Sequence, residues 1–149
     1  MPDIMHRLAI HASPEQVYQA LTTTEGIRHW WTRDAELDAN VGGMGEFRFY
    51  ERERLTRVRI DELRPPLGVR WTTIASFRPS REDTTITFDL QPQGDDTVLA
   101  FAQRGFPQAD EVYALTTTGW AYFLVSLQQY LETGHGGPSP HIDFARMLR

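Results

Sequence analysis

One stretch constrains the fold of this chain more than any other. Between residues 35 and 104 apolar and polar side chains alternate in run after run, and beyond residue 110 the spacing lengthens to that of a helix. Phe47 and Phe49 stand against Glu46, Arg48 and Tyr50, Val58 and Ile60 against Arg57, Arg59 and Asp61, and Val69 and Trp71 against Arg70 and Thr72. Thr84 and Ile86 alternate weakly with Thr85, Phe88 and Leu90 flank Asp89, and Leu99 and Phe101 flank Ala100. Gly42-Gly43, Pro65-Pro66-Leu67-Gly68, Arg78-Pro79-Ser80 and Gly94-Asp95-Asp96 punctuate the runs with turn-forming residues. This spacing predicts a meander of about six antiparallel strands.

A long helix is predicted to close it. Asp110 is placed to cap, and Val112, Leu115, Thr116, Gly119, Trp120, Phe123, Leu124, Leu127 and Leu131 form an apolar stripe of about six turns. Gly134, Gly136, Gly137, Pro138 and Pro140 stop it. Ahead of the meander, Leu8 and Ile10 alternate with Arg7 and Ala9 as a strand, and Ser13, Pro14 and Gln16 spell a helix start with Val17, Ala20 and Leu21 on one face. Thr24 is the expected cap of a second short helix carrying Ile27, Trp30 and Trp31. A strand, two short helices, a meander and a long helix make an α+β layout in which one sheet face wraps the final helix. A single domain is expected over residues 1–134, with 135–149 as a glycine- and proline-rich tail.

Composition narrows the chemistry. A chain of 149 residues buries enough surface to do without staples, and this one has no cysteine, which removes disulfides, thiolate nucleophiles and cysteine-bound zinc. All 15 basic residues are arginine, so a Schiff-base or P-loop lysine is excluded. The net charge of −5, without a dense basic stretch, argues against nucleic-acid or anionic-membrane binding. No apolar run approaches a membrane span and no secretion signal is evident, so a cytoplasmic location is expected.

Ala12-Ser13-Pro14-Glu15-Gln16-Val17-Tyr18-Gln19-Ala20-Leu21-Thr22, then Gly26-Ile27 with Trp30-Trp31, Gly42-Gly43 before the Phe47 strand, Thr97 to Phe106, and Gly119-Trp120 ahead of Leu124, Leu127, Tyr130, Leu131 and Gly134 follow one another in a characteristic order. This order resembles the SRPBCC or START-like superfamily with the helix-grip (Bet v 1-like) fold, in the branch related to the C-terminal domain of the Hsp90 ATPase activator. The resemblance spans residues 7–134. It implies a curved antiparallel sheet wrapped around the long C-terminal helix, with a cavity between them. Relatives often carry histidine ahead of Arg-Gly-Phe, whereas Gln103 precedes Arg104-Gly105-Phe106 here, which counts against an imidazole acid–base role. The co-chaperone's separate N-terminal domain has no counterpart in the sequence, so chaperone activation does not follow from the likeness.

The alternation points Phe47, Phe49, Trp71, Phe88 and Phe101 inward, and the helix adds Tyr113, Trp120 and Phe123. Those rings suit a packed core or a cavity lining. Trp30 and Trp31 point about 100° apart, one toward the core and one toward a rim. Gln103 and Tyr113 are the polar groups able to orient a ligand, and Thr116 opens a Thr116-Thr117-Thr118-Gly119 run of low helix propensity that either yields to a guest or packs Gly119 closely on a strand. These twelve residues, Trp30, Trp31, Phe47, Phe49, Trp71, Phe88, Phe101, Gln103, Tyr113, Thr116, Trp120 and Phe123, are the expected ligand-binding set.

No catalytic motif, metal cluster or cofactor signature is found. The five histidines are scattered at 6, 11, 29, 135 and 141, with His29 nearest a cavity mouth and His135 and His141 in a solvated tail. Arg48, Arg52, Arg54, Arg57 and Arg59 interleave with Glu46, Glu51 and Glu53 as a solvated charge ladder rather than an anion site. Ile142, Phe144, Met147 and Leu148 are apolar enough to dock on the domain or form a homodimer contact. The expected function is binding of a small hydrophobic, aromatic or lipid-like molecule. A polyketide-cyclase-like enzyme and a chaperone-associated interaction module are the alternatives.

Overall fold

The computed structural model describes residues 1–49 and 51–140, and for residues 51–53 the backbone alone. The elements run β1 (Ile4–Ile10), α1 (Pro14–Thr22), α2 (Thr24–Trp30), β2 (Asp34–Leu37), β3 (Met44–Phe49), β4 (Glu51–Arg64), β5 (Gly68–Ser76), a 3₁₀ turn (Pro79–Arg81), β6 (Thr85–Gln93), β7 (Asp96–Arg104) and α3 (Glu111–Thr133). Seven strands form one sheet in the order β1-β7-β6-β5-β4-β3-β2, with every neighbouring pair antiparallel. From β2 to β7 this is the expected meander. The runs around Ile86 and Phe88 merge into β6. The architecture is the α+β helix-grip fold, an open sheet gripping the C-terminal helix.

The local reasons are legible. Ser13 accepts from the Gln16 backbone N–H while the Gln16 side chain accepts from the Ser13 N–H, a reciprocal capping box that starts α1. Asp110 caps α3 by accepting from the Tyr113 N–H, and Gly134 ends it at φ 85°, a left-handed conformation suited to glycine. Thr23, not Thr24, caps α2. Its hydroxyl accepts from Gly26 N–H at 2.9 Å, while the Thr24 hydroxyl bonds both backbone groups of Leu37 and ties α2 to β2.

Trp30, Phe47, Trp71, Phe88, Phe101 and Phe106 are the largest fully buried side chains. Their rings meet at close range: Trp71 lies 5.1 Å from Phe88, and Phe88 5.3 Å from Phe101, both edge-on. Such pairs add about 0.5–1.5 kcal/mol beyond their buried area. On the outer face Glu46 holds Arg48 and Arg57, each at 3.1 Å, as two rungs of a charge ladder.

Past Gly134 the chain stays on the body. Ser139 pairs with Thr32 as a parallel bridge, donates its N–H to Trp31 O and accepts from Arg33 N–H. Gly137 N–H donates to Ser126 Oγ at 2.7 Å, and the Tyr122 hydroxyl donates to Gly137 O. Residues 136–139 are therefore docked against α2 and α3 rather than solvated, although His135 is exposed. His141, Ile142, Phe144, Met147 and Leu148, and the side chains of Glu51, Arg52 and Glu53, lie outside the described residues.

Candidate functional site

The concave face of the sheet and α3 do not close completely on one another. Between them lies a cavity of about 150 Å³, bordered by Trp31, Phe49, Arg54, Thr56, Thr73, Phe77, Arg78, Arg81, Ile86, Gln103, Leu115, Thr116, Gly119, Trp120 and Phe123. It is smaller than the roughly 300–1,000 Å³ of drug-sized pockets. Five of its residues, Leu115, Thr116, Gly119, Trp120 and Phe123, fall on one face of α3 by helical spacing.

Gly119 explains part of the space. A Cβ built there would meet nothing within 4 Å, so close packing on a strand is not its reason. An interior helix glycine costs about 0.8–1.0 kcal/mol relative to alanine, and here that cost leaves the wall open.

One side of the cavity is apolar. Trp31 lies 4.9 Å from Trp120 and 5.4 Å from Phe49, and Phe49 is 6.0 Å from Phe123, so four rings form a connected wall.

The other side is cationic. The connection between β5 and β6 brings Phe77, Arg78 and Arg81 to the cavity, and the two guanidinium carbons lie 5.8 Å and 5.2 Å from the Phe77 ring centre. Arg81 Nε donates to Thr116 Oγ1 at 2.7 Å, and Thr116 in turn donates to Val112 O. Arg78 Nε is buried with no hydrogen-bond partner. Among the described residues no carboxylate pairs with either arginine. Burial first, and then the neighbouring Arg78 charge, bring the Arg81 pKa down to about 10, which leaves it charged at neutral pH.

A hydrogen-bond chain holds the floor and steadies that connection. Trp120 Nε1 donates to Gln103 Oε1 at 2.8 Å, Gln103 Nε2 donates to Thr84 Oγ1 at 2.9 Å, and Thr84 donates to the Arg81 carbonyl. Both ends of Gln103 are thus engaged, and the backbone and side chain of Arg81 are each anchored.

Six of the twelve residues expected at the site border the cavity: Trp31, Phe49, Gln103, Thr116, Trp120 and Phe123. Phe47, Trp71, Phe88 and Phe101 sit beneath it as packed core, because each has neighbouring rings on hand to fill the space around it. Trp30 is fully buried between the helices, its indole donating to Ala20 O at 2.9 Å. Tyr113 stands apart from the cavity, edge-on to Phe106, with its hydroxyl donating to Asp3 O at 2.7 Å. His29 does not reach the mouth. It stacks on Tyr130 at 4.9 Å, with Nδ1 at 2.7 Å from the Glu25 carbonyl.

The arginines escaped the sequence reading for different reasons. Arg54 shares strand parity with Thr56, Val58 and Ile60, which are buried, so alternation extended back from Val58 would have turned it inward. Arg78 and Arg81 lie in a proline turn, where no periodicity tells which way a side chain faces. No group of three or more His, Asp or Glu able to hold a metal occurs among the described residues.

Residues 11–132 match the family described as activator of Hsp90 ATPase homolog 1-like protein. The Aha1 dimer from Colwellia psychrerythraea, solved in solution, is 36% identical with a TM-score of 0.83, over 91% of this chain and 100% of that one. MLL2253 from Mesorhizobium loti (22% identity, TM-score 0.77, 88% of this chain and 97% of that one) shares the fold. So does CalU16 from Micromonospora echinospora (20% identity, TM-score 0.69, 89% and 77%). No curated protein matches the chain.

Proposed function

This chain belongs to the activator of Hsp90 ATPase homolog 1-like family, and from that membership we propose that it binds a small, partly apolar molecule between the sheet and α3. The observation that carries the reading is the unfilled wall at Gly119, facing four aromatic rings and a set of oriented polar groups. Binding would draw on desolvation of ring surface. The small volume restricts the guest to something compact, well short of a long lipid chain. Among the described residues, none bordering the cavity is a carboxylate or an imidazole, which favours a reading of binding over proton-shuttling chemistry of the cyclase kind. A cytoplasmic location belongs to the same proposal, and no helix among the described residues is long and apolar enough to cross a membrane.

Native mass spectrometry of the purified full chain, followed by denaturing extraction, tests this reading. A retained mass released on denaturation, and absent from a Gly119→Leu variant that still folds, supports it. Repeated absence of any retained mass, with no thermal shift against small aromatic compounds, contradicts it.

Self-association is a second reading with its own support, since the 36% identical relative is described as a dimer. Light scattering on the eluting protein distinguishes one copy from two. A chaperone-directed role would act through the outer surface, and a pulled-down chaperone unaffected by Gly119→Leu would favour it.

A further inference from the structure

The cavity is asymmetric in charge, and that asymmetry selects a class of guest. Two guanidinium groups flank Phe77 at one end, and no described carboxylate neutralises them. Both arginines are half-buried, and a cation partly withdrawn from water without a counter-charge is unfavourable, because desolvation penalises its charged form. The Phe77 ring, facing both guanidinium groups, offsets only part of this. Arg78 Nε is also a buried donor with nothing to donate to. Meanwhile Arg81 is held from two directions, by Thr116 at its side chain and by Thr84 at its carbonyl, which fixes the fork before any guest arrives.

We infer that the guest is a small organic anion, its charged head lying between Arg78 and Arg81 beside Phe77 and its apolar body against Trp31, Phe49 and Phe123. The inference rests on the reading of the cavity as a small-molecule site and adds the chemistry of the ligand. A planar carboxylate or a phosphoryl group supplies the acceptor that Arg78 Nε lacks and the negative charge that the pair lacks. Gln103, a neutral amide with both ends engaged, adds no charge to the floor. The arrangement therefore suits an ion with one charged end.

The test is calorimetric titration of the full chain at neutral pH with 3-phenylpropionate, with its neutral amide 3-phenylpropanamide, and with phenyl phosphate. At least one of the two anions should bind about ten- to a hundredfold more tightly than the amide, the range of one charge-assisted hydrogen bond. Tighter binding of the propionate identifies a carboxylate head, and tighter binding of phenyl phosphate a phosphoryl head. Arg78→Gln and Arg81→Gln should each erase the preference while amide binding persists, and Arg81→Lys should retain part of it. Should an arginine variant fail to fold, Gly119→Leu still decides the matter, because it fills the space, leaves the arginines in place and should abolish anion binding. Equal affinity for the amide and both anions, or anion binding that survives Gly119→Leu, overturns the inference and leaves the cavity reading to stand on its own evidence. No binding by any of the three also overturns it, and the retained mass in native spectra then separately decides whether the cavity holds anything.

Discussion

The indole of Trp120 donates to the amide oxygen of Gln103 at 2.8 Å, joining α3 to β7 across the floor of the cavity. Gln103 is only 2% exposed, and its nitrogen is used as well, on Thr84. Replacing it by leucine leaves a buried indole N–H without its acceptor, at a cost of about 1–3 kcal/mol. Gln103→Leu should lower the unfolding free energy by that amount, seen as a lower urea midpoint with an unchanged slope. It should also loosen the Thr84 contact that steadies Arg81, so anion affinity should fall along with stability.

Gly119 and the cavity make an opposite prediction. Because an added Cβ meets nothing within 4 Å, Gly119→Ala should gain up to about 1 kcal/mol of helix propensity and raise the melting temperature. Gly119→Leu should also fold, and should exclude the guest. Thermal denaturation paired with titration separates the two effects.

At Gly26 the same substitution should do harm. A Cβ there would lie 2.6 Å from Ala20 Cα and 2.7 Å from Ala20 O, backbone atoms of the preceding helix that have no flexible end to move. Gly26→Ala should destabilise by about 1–3 kcal/mol, the usual range for overpacking. Denaturant titration of the two alanine variants side by side checks that they move in opposite directions.

A surface contact gives a pH signature. His11 Nδ1 lies 2.8 Å from Asp96 Oδ1, and that hydrogen bond, followed by the Asp96 charge, raises the His11 pKa above its ordinary value. A raised folded pKa means that protonation favours the folded state. The contribution is complete below about pH 6.5, the value of a free histidine, and is lost as pH rises through the higher folded value. Asp96→Asn should therefore lower the melting temperature in mild acid, with a difference from the parent protein that shrinks as the pH rises through the folded His11 value.

The fold was largely legible from period alone, because strands of a half-buried sheet and one amphipathic helix write their faces into the sequence. Ser13 with Gln16, Asp110 and Gly134 announced helix ends that the structure keeps. Half of the expected site was not resolved by period, for a physical reason. Inward-pointing is a property of a face, whereas bordering a void depends on which neighbours run out of atoms first. Phe88 and Trp120 both point inward, yet only Trp120 reaches the space beside Gly119. The arginines were hidden by opposite circumstances: Arg54 within a run of alternating charge, Arg78 and Arg81 in a turn with no period. The docking of residues 136–139 rests on backbone bonds to Trp31 and Arg33 and on the hydroxyls of Ser126 and Tyr122, which no period in the sequence encodes.

The most direct measurement is a nitrogen–proton correlation spectrum of the isotopically labelled full chain, covering backbone, indole and arginine Nε–H signals, as 3-phenylpropionate is added. Saturable shifts at the Trp120 indole, the Gly119 amide and the Nε–H groups of Arg78 and Arg81 are the predicted result, with little change on the outer face around Glu46 and Arg57. Shifts confined to that outer face, or none at any of these positions, would contradict the account.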